Sequence, residues 1–220
     1  MMKTFKLASA CALGLAILAA TASAQMGMGM RPPLPQGIFN PTVGAGAAYD
    51  STTADGTKTT LEMAVVGHET VNGKDGYWLE VTSEQKTGLM VFKTLIVPGA
   101  PDASPRTILQ MGKGQPMEMP TQGRMGGSAK PNLDVRNSGQ DLGKESVTVP
   151  AGTFSCEHYR SNDGGDVWVS GQVPPFGMVK SSSNGSTMVL TKVITGEKDK
   201  IVGTPVPFNP QMMMQQMQNQ

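Results

Sequence analysis

The chain has 220 residues with 18 Lys and Arg against 17 Asp and Glu, and a net charge of +1 gives no electrostatic footing for nucleic acid as a partner. Glycine (27) and proline (16) make up about a fifth of it, too much for a helical protein and less than low-complexity disorder carries. Two histidines, two cysteines and no acidic run leave little raw material for metal-dependent or acid–base catalysis, and 5% aromatic content disfavours a stacking surface for single-stranded nucleic acid or carbohydrate.

Lys3 and Lys6 precede an apolar run from Leu7 to Ala20, and Ala22-Ser23-Ala24 is a small-x-small site before Gln25. The expectation is a secretory signal peptide over 1–24, cleaved near Ala24-Gln25, and a periplasmic or secreted location. The run is shorter than the ~20 residues a bilayer crossing needs, so no transmembrane span is expected in the mature form. Cys11 as a lipidated residue would have almost no apolar stretch before it, since only Leu7 separates Lys6 from Ala8. Cleavage removes Lys3, Lys6 and Cys11, which leaves a net charge of −1 and Cys156 without an intramolecular partner. An unpaired cysteine of this kind reads as a small buried hydrophobe.

Residues 25–46 have no hydrophobic period and many Gly and Pro, which predicts a flexible arm. Residues 47–196 alternate apolar and polar positions between turn signals, the pattern of antiparallel strands. Ala47 to Thr53 and Thr57 to Val66 flank an Asp55-Gly56 turn; Asn72 to Gly76 makes the next, Tyr77 onward alternates, and Leu89 to Val97 completes a four-stranded meander. Residues 98–139 form an irregular insertion with one apolar segment, Thr107 to Met111, long enough to hide a short element or to act as a lid. Strands are expected again at Asp141 to Val149, Thr153 to Arg160, Val167 to Val169, Met178 to Ser182 and Thr187 to Thr195, with Pro150-Ala151-Gly152 and Asn184-Gly185 as turns. Residues 197–220, ending in a Gln/Met tract, are expected to be a disordered tail.

Chemical candidates are few. Ser83-Glu84-Gln85-Lys86 matches S-x-x-K without companion motifs and reads as an exposed strand end. Cys156 and His158 share one side of a strand, and His68 could join them around zinc, although a satisfied histidine is the commoner case. Met26, Met28 and Met30 form M-x-M-x-M, Met117 and Met119 bracket Glu118, and Met212, Met213, Met214 and Met217 crowd the C-terminus. Thioethers on flexible segments suit Cu(I); the plainer alternative is a polar tail that tolerates methionine. No other cofactor is expected. Gly67-His68-Glu69-Thr70-Val71 before Tyr77-Trp78 echoes Gly143-Lys144-Glu145-Ser146-Val147 before Thr153-Phe154, either one hairpin type used twice or chance in a Gly- and Val-rich chain.

Residues 143–180 read G-K-E-S-V-T-V-P-A-G-T-F-S-C-E-H-Y, then D-V-W-V-S, then V-P-P-F-G-M-V-K. This resembles a group of secreted bacterial proteins marked by V-P-A-G-T-F followed by V-W-V-S and P-x-x-G-x-V-K, which are similar to the LolA/LolB-like superfamily of periplasmic lipoprotein carriers. The resemblance spans about a fifth of the mature chain and implies a strongly curved antiparallel sheet, an unclosed half-barrel whose concave apolar face is covered by loops or short helices. Carriers of that superfamily have a helical lid with no counterpart in this sequence, so lipoprotein transport itself is not implied.

The expected fold is therefore mainly β, a strongly curved antiparallel sheet with disordered N- and C-terminal tails; a small closed β-barrel or a β-sandwich is the alternative. The expected function is that of an exported, monomeric non-enzyme holding an apolar ligand, a lipid or a lipidated chain such as a lipoprotein, against the inner face of the sheet. Leu61, Met63, Val65, Tyr77, Leu79, Val81, Val167, Val169, Met188 and Leu190 are the candidate lining residues. The alternatives are an envelope structural or interaction module without a small ligand, and Cu(I) binding by the methionine-rich ends.

Overall fold

The computed structural model describes residues 37–85, 88–99, 106–120, 133–162 and 164–218, apart from the side chain of Met217. The first meander comprises β1 (Gly46–Thr52), β2 (Lys58–Val71), β3 (Lys74–Gln85), β4 (Gly88–Ile96), β5 (Thr107–Met111) and β6 (Met117–Met119). A short 3-10 turn (Val135–Asn137) leads to the second: β7 (Gln140–Val149), β8 (Gly152–Arg160), β9 (Asp166–Val169), β10 (Met178–Ser183) and β11 (Ser186–Ile194). The chain ends with β12 (Val206–Pro207) and one helix, α1 (Pro210–Gln218).

All twelve strands belong to one unclosed sheet in the order β12-β6-β5-β4-β3-β2-β1-β11-β10-β9-β8-β7. The two meanders are joined where β1 pairs antiparallel with β11, from Gly46↔Ile194 to Thr52↔Thr187. Every pairing is antiparallel except β12 with β6, which is parallel. Tight turns follow from the sequence: Asn72-Gly73 and Asn184-Gly185 both hold two successive positive φ angles (50° and 77°, 49° and 76°), which makes each a two-residue hairpin turn matched to the strand twist. The first of these is tighter than the five-residue turn expected there, because Gly76 lies inside β3, where a Cβ would sit 3.0 Å from Leu95 Cδ1.

The sheet bends toward one face. Register shifts at Ala48/Tyr49, Val65/Gly67, Met178/Lys180 and Asp141/Gly143 are bulges, which add local twist and let a strand turn. The Tyr49 hydroxyl on β1 donates to the Met178 carbonyl on β10 at 3.0 Å, passing over β11. Two inter-strand spacings are ~9.6 Å on a flat sheet, so this contact needs β10 turned up over the Tyr49 face.

Two expectations about the irregular regions are corrected, and the insertion holds short elements. The arm ends in an ordered piece: Ile38 and Asn40 donate to the Phe176 and Pro175 carbonyls at 2.7 Å, and Phe39 donates to the Leu133 carbonyl at 2.8 Å. The insertion contributes β5, β6 and the 3-10 turn, whose Asp134 side chain caps it by accepting from Arg136 N–H at 3.0 Å. The supposed tail crosses the outer face of β2 to β5 as a strap and then forms β12 and α1. It carries no hydrophobic period because side chains of the sheet hold its backbone: Lys200 N–H donates to Glu80 at 3.0 Å and Val202 N–H to Gln110 at 2.9 Å. Asn209 caps α1 by accepting from Gln211 and Met212 N–H at 2.9 and 3.2 Å, with Pro210 at the first helical position.

Truncating the concave face should cost far more than truncating the edge strand. Leu190→Ala, at a 0% exposed position, is expected to lose about 2–5 kcal/mol in urea unfolding, whereas Leu142→Ala, at a 39% exposed position on β7, stays within about 0.5 kcal/mol.

Candidate functional site

Residues paired directly across strands share a face, and so do residues two apart along a strand. Met63 pairs with Ala47 and Val81, Val65 with Leu79, and Leu61 with Tyr49, which in turn pairs with Leu190. Met188, two residues from Leu190, pairs with Ser181, and Ser181 with Val167. Tyr77 follows from Leu79 and Val169 from Val167 by alternation. The ten candidate lining residues therefore lie on one face, the face toward which the sheet bends. Tyr49, Met90, Phe92, Leu109, Met111 and Met117 extend the same face and were missed by the sequence reading. The sequence pattern places strands around Tyr49, Met90 and Phe92 and an apolar segment at Leu109 and Met111, but none at Met117, and it does not give the register between distant strands.

The face is sealed at one end. Met63, Val65, Leu79 and Leu190 are 0% exposed and Val81, Val167 and Val169 are almost fully buried. At the Tyr77 end a plug built from three loops lies over it: Phe39 meets Tyr77 edge-on with ring centroids 6.2 Å apart and packs against Phe176 at 5.1 Å. Val135 is 0% exposed, and its N–H donates to the Gly37 carbonyl at 2.8 Å. Gly37 has to be glycine, since a Cβ there would fall 2.2 Å from the Phe176 carbonyl oxygen. Gly177, in the V-P-P-F-G stretch, takes φ +71°, which turns the chain back into β10.

The opposite end is looser. Leu61, Met90 and Met188 are only half-buried, beside half-buried Ser51, Thr59, Ser83 and Ser181. Among the described residues, these pairings place hydroxyls and thioethers at the lip. Methionine makes such a surface adaptable, because an unbranched thioether repacks at little cost. The buried Tyr49 phenol is pushed above its ordinary range by burial, so it serves as a neutral hydrogen-bond donor.

The outer face carries the polar residues. Trp78 donates from its indole to Glu69 at 3.1 Å and lies beneath Lys93 and Arg106, 5.0 and 5.2 Å from its ring centre. In the second meander Trp168 donates to Glu145, stacks on His158 at 4.4 Å and faces Lys180 at 4.8 Å. Both Glu residues stand two positions after a glycine at a bulge, Gly67 and Gly143, so the sequence echo has a structural counterpart: a bulge turns the glutamate toward an indole on the same face.

The remaining chemical candidates do not converge. His158 is engaged on both ring nitrogens, 3.0 Å from Glu145 and 3.1 Å from Asp166. His68 lies with Asp75 at 2.9 Å on another strand, and among the described residues no cluster of three His, Cys, Asp or Glu side chains could hold a metal. Cys156 is 1% exposed and its thiol is pushed up to about 11 by burial, with the Glu145 charge adding to it. Ser83 accepts from the Gln85 side-chain amide at 2.8 Å, and Lys86 lies outside the described residues. Of the candidate Cu(I) ligands, Met26, Met28 and Met30 also lie outside them. Met213 is buried at 4%, whereas Met212 and Met214 stand two positions apart on α1, on different sides of the helix.

No family model matches the chain, and no curated protein matches its sequence. Among solved structures it is similar to a candidate lipoprotein from Parabacteroides distasonis, at 17% identity and a TM-score of 0.37, covering 73% of this chain and 100% of that one. It is similar to a candidate exported protein with a YmcC-like fold from Bacteroides fragilis, at 16% identity and a TM-score of 0.36, covering 72% and 99%. Both superpositions are loose, and neither bears on what this chain does. Among the described residues no helix is long and apolar enough to cross a membrane.

A thiol so buried and so weakly acidic should be inert. Cys156 in the folded protein is expected to resist a water-soluble thiol reagent at neutral pH and to react fully once the chain is unfolded in guanidinium; rapid labelling of the native form would contradict its place in the structure.

Proposed function

We propose that the chain is an exported, non-catalytic protein that takes an apolar ligand, a lipid acyl chain or a lipidated chain, into the looser end of its curved sheet. The observation that carries this reading is the gradient along one apolar face: sealed by the chain itself at the Phe39 plug, yet only half-covered at Leu61, Met90 and Met188. The leader-like pattern of residues 1–24 supports export, and the resemblance of residues 143–180 to secreted half-barrel proteins supports a carrier-type architecture. The engagement of Cys156 and His158 by their neighbours supports a non-catalytic role.

A second reading has its own observation. The complete burial of Met63, Val65, Leu79 and Leu190 by the chain's own side chains favours a packed envelope module that works through protein contacts.

Native mass spectrometry of the exported chain, purified without detergent, separates the two. A lipid-sized adduct released by organic solvent, and lost from Leu61→Gln and Met188→Gln variants whose unfolding midpoints stay near wild type, is the expected result. A bare wild-type mass, or an adduct indifferent to both substitutions, would favour the packed module. Copper-sized increments removed by deleting residues 25–30 and 211–220 would favour the methionine ends instead.

A further inference from the structure

The strap of residues 197–203 is fastened to the outer face by an unusual contact. Glu80, in the middle of β3, is 2% exposed, although glutamate is seldom fully buried. Its Oε2 accepts from Lys200 N–H at 3.0 Å, while its Oε1 is buried without a hydrogen-bond donor. Asp199, the residue before Lys200 on the strap, brings a second carboxylate whose negative charge disfavours ionisation of Glu80. Asp199 is itself held by Lys93 of β4 and by the N–H of Ile201 at 2.9 Å.

The other charged groups around this point are already matched. Glu62 of β2 and Glu197 of the strap both bind Lys200 Nζ at 2.9 Å. Further out, Arg106 lies between Glu118 of β6, at 2.8 Å, and Glu69 of β2, at 3.9 Å. Gln110 of β5 is neutral and clips the strap with its side-chain amide, accepting from Val202 N–H and donating to the Val202 carbonyl at 3.0 Å. With no donor in reach, the buried Oε1 is best accommodated by a proton on Glu80 itself, which removes the charge.

We propose that residues 197–203 are a proton-dependent clasp: a proton on buried Glu80 keeps the strap fastened over the outer face, and its loss loosens the strap and uncovers the apolar cluster of Trp78, Leu95 and Ile108 on which Ile201 packs. The geometry sets the direction. With the proton, Glu80 is neutral and can donate as well as accept; without it, a charged carboxylate that is 2% exposed keeps one oxygen unpaired beside the Asp199 charge. Burial, with the Asp199 carboxylate adding to it, lifts Glu80 to about 7 from 4.5 against the lowering pull of the Lys200 amide. A carboxyl whose pKa is raised in the docked state binds the strap fully below its ordinary range, and that stabilisation is lost as pH rises toward about 7.

Amide hydrogen exchange of the full chain tests this at Lys200, Ile201 and Val202. After correction for intrinsic exchange, protection at these amides is expected to fall at least about tenfold between about pH 5 and about pH 7, while amides in the middle of β2 and β3 hold steady. In Glu80→Gln the side-chain carbonyl accepts from Lys200 N–H without carrying a charge, so the strap stays docked and its protection becomes flat with pH. In Asp199→Asn the opposing charge is gone and the pH dependence shrinks. Protection that is independent of pH in wild type, or a pH dependence that persists unchanged in Glu80→Gln, overturns the proposal. Far-ultraviolet circular dichroism of both variants confirms that the sheet itself is intact, so that loss of fold is not read as release of the strap.

Discussion

The pairing of β1 with β11 is the constraint on which the rest depends. Among the described strands it is the seam where two meanders, each local in sequence, pair with one another, and it joins residues almost a whole domain apart, Gly46 with Ile194 and Thr52 with Thr187. Closing such a long loop costs entropy that local hairpins do not pay, so the seam must be favourable over its whole length. Its residues suit close approach. A Cβ on Gly46 would lie 2.4 Å from the Met63 carbonyl oxygen, and Ala47 and Ala48 beside it are almost completely buried. Tyr49 follows directly on the bulge and ties the seam to β10 through its hydroxyl.

Once the seam forms, one face of the sheet can be buried without a second layer. Side chains from opposite halves, such as Met63 and Leu79 from the first and Leu190 and Val167 from the second, share the interior because the sheet bends over them. The plug of Phe39, Val135 and Phe176 then closes one end with two irregular loops and a short 3-10 turn. Their backbone groups are satisfied by pairing with one another, Ile38 with Phe176 and Phe39 with Leu133, which is what allows irregular chain to be buried.

Much of this was legible in the residues. Alternation at Leu61-Met63-Val65 and Tyr77-Leu79-Val81 groups residues of one face without saying whether it is the inner one, and Asn184-Gly185 and Asp55-Gly56 mark turns, because a period of two and a need for positive φ are local properties. The strap was not legible. Glu80 and Gln110 look like outward-facing residues of an amphipathic strand, and only the position of the Lys200 and Val202 amides reveals them as buried acceptors. The cap of α1 was there to be read in Asn209-Pro210, but the methionine and glutamine that follow carry no apolar stripe, and the segment passed as a tail. Met90 and Tyr49 belong to the inner face through pairings with distant strands, and no short window of sequence contains that information.

The two ends of the sheet are unlike each other. On one side the terminal strand β12 lies parallel to β6 and finishes in Pro207, a residue with no N–H to offer a further strand. On the other, β7 is bent by the bulge at Gly143 and carries Lys144 and Glu145 along an exposed edge. A sheet grows by adding strands at its borders, and here one border is capped with a residue that cannot donate while the other is twisted and charged. End-to-end stacking of one copy on another would have to displace the first and accommodate the second, so the chain's protection against fibre-like growth is built from two different devices.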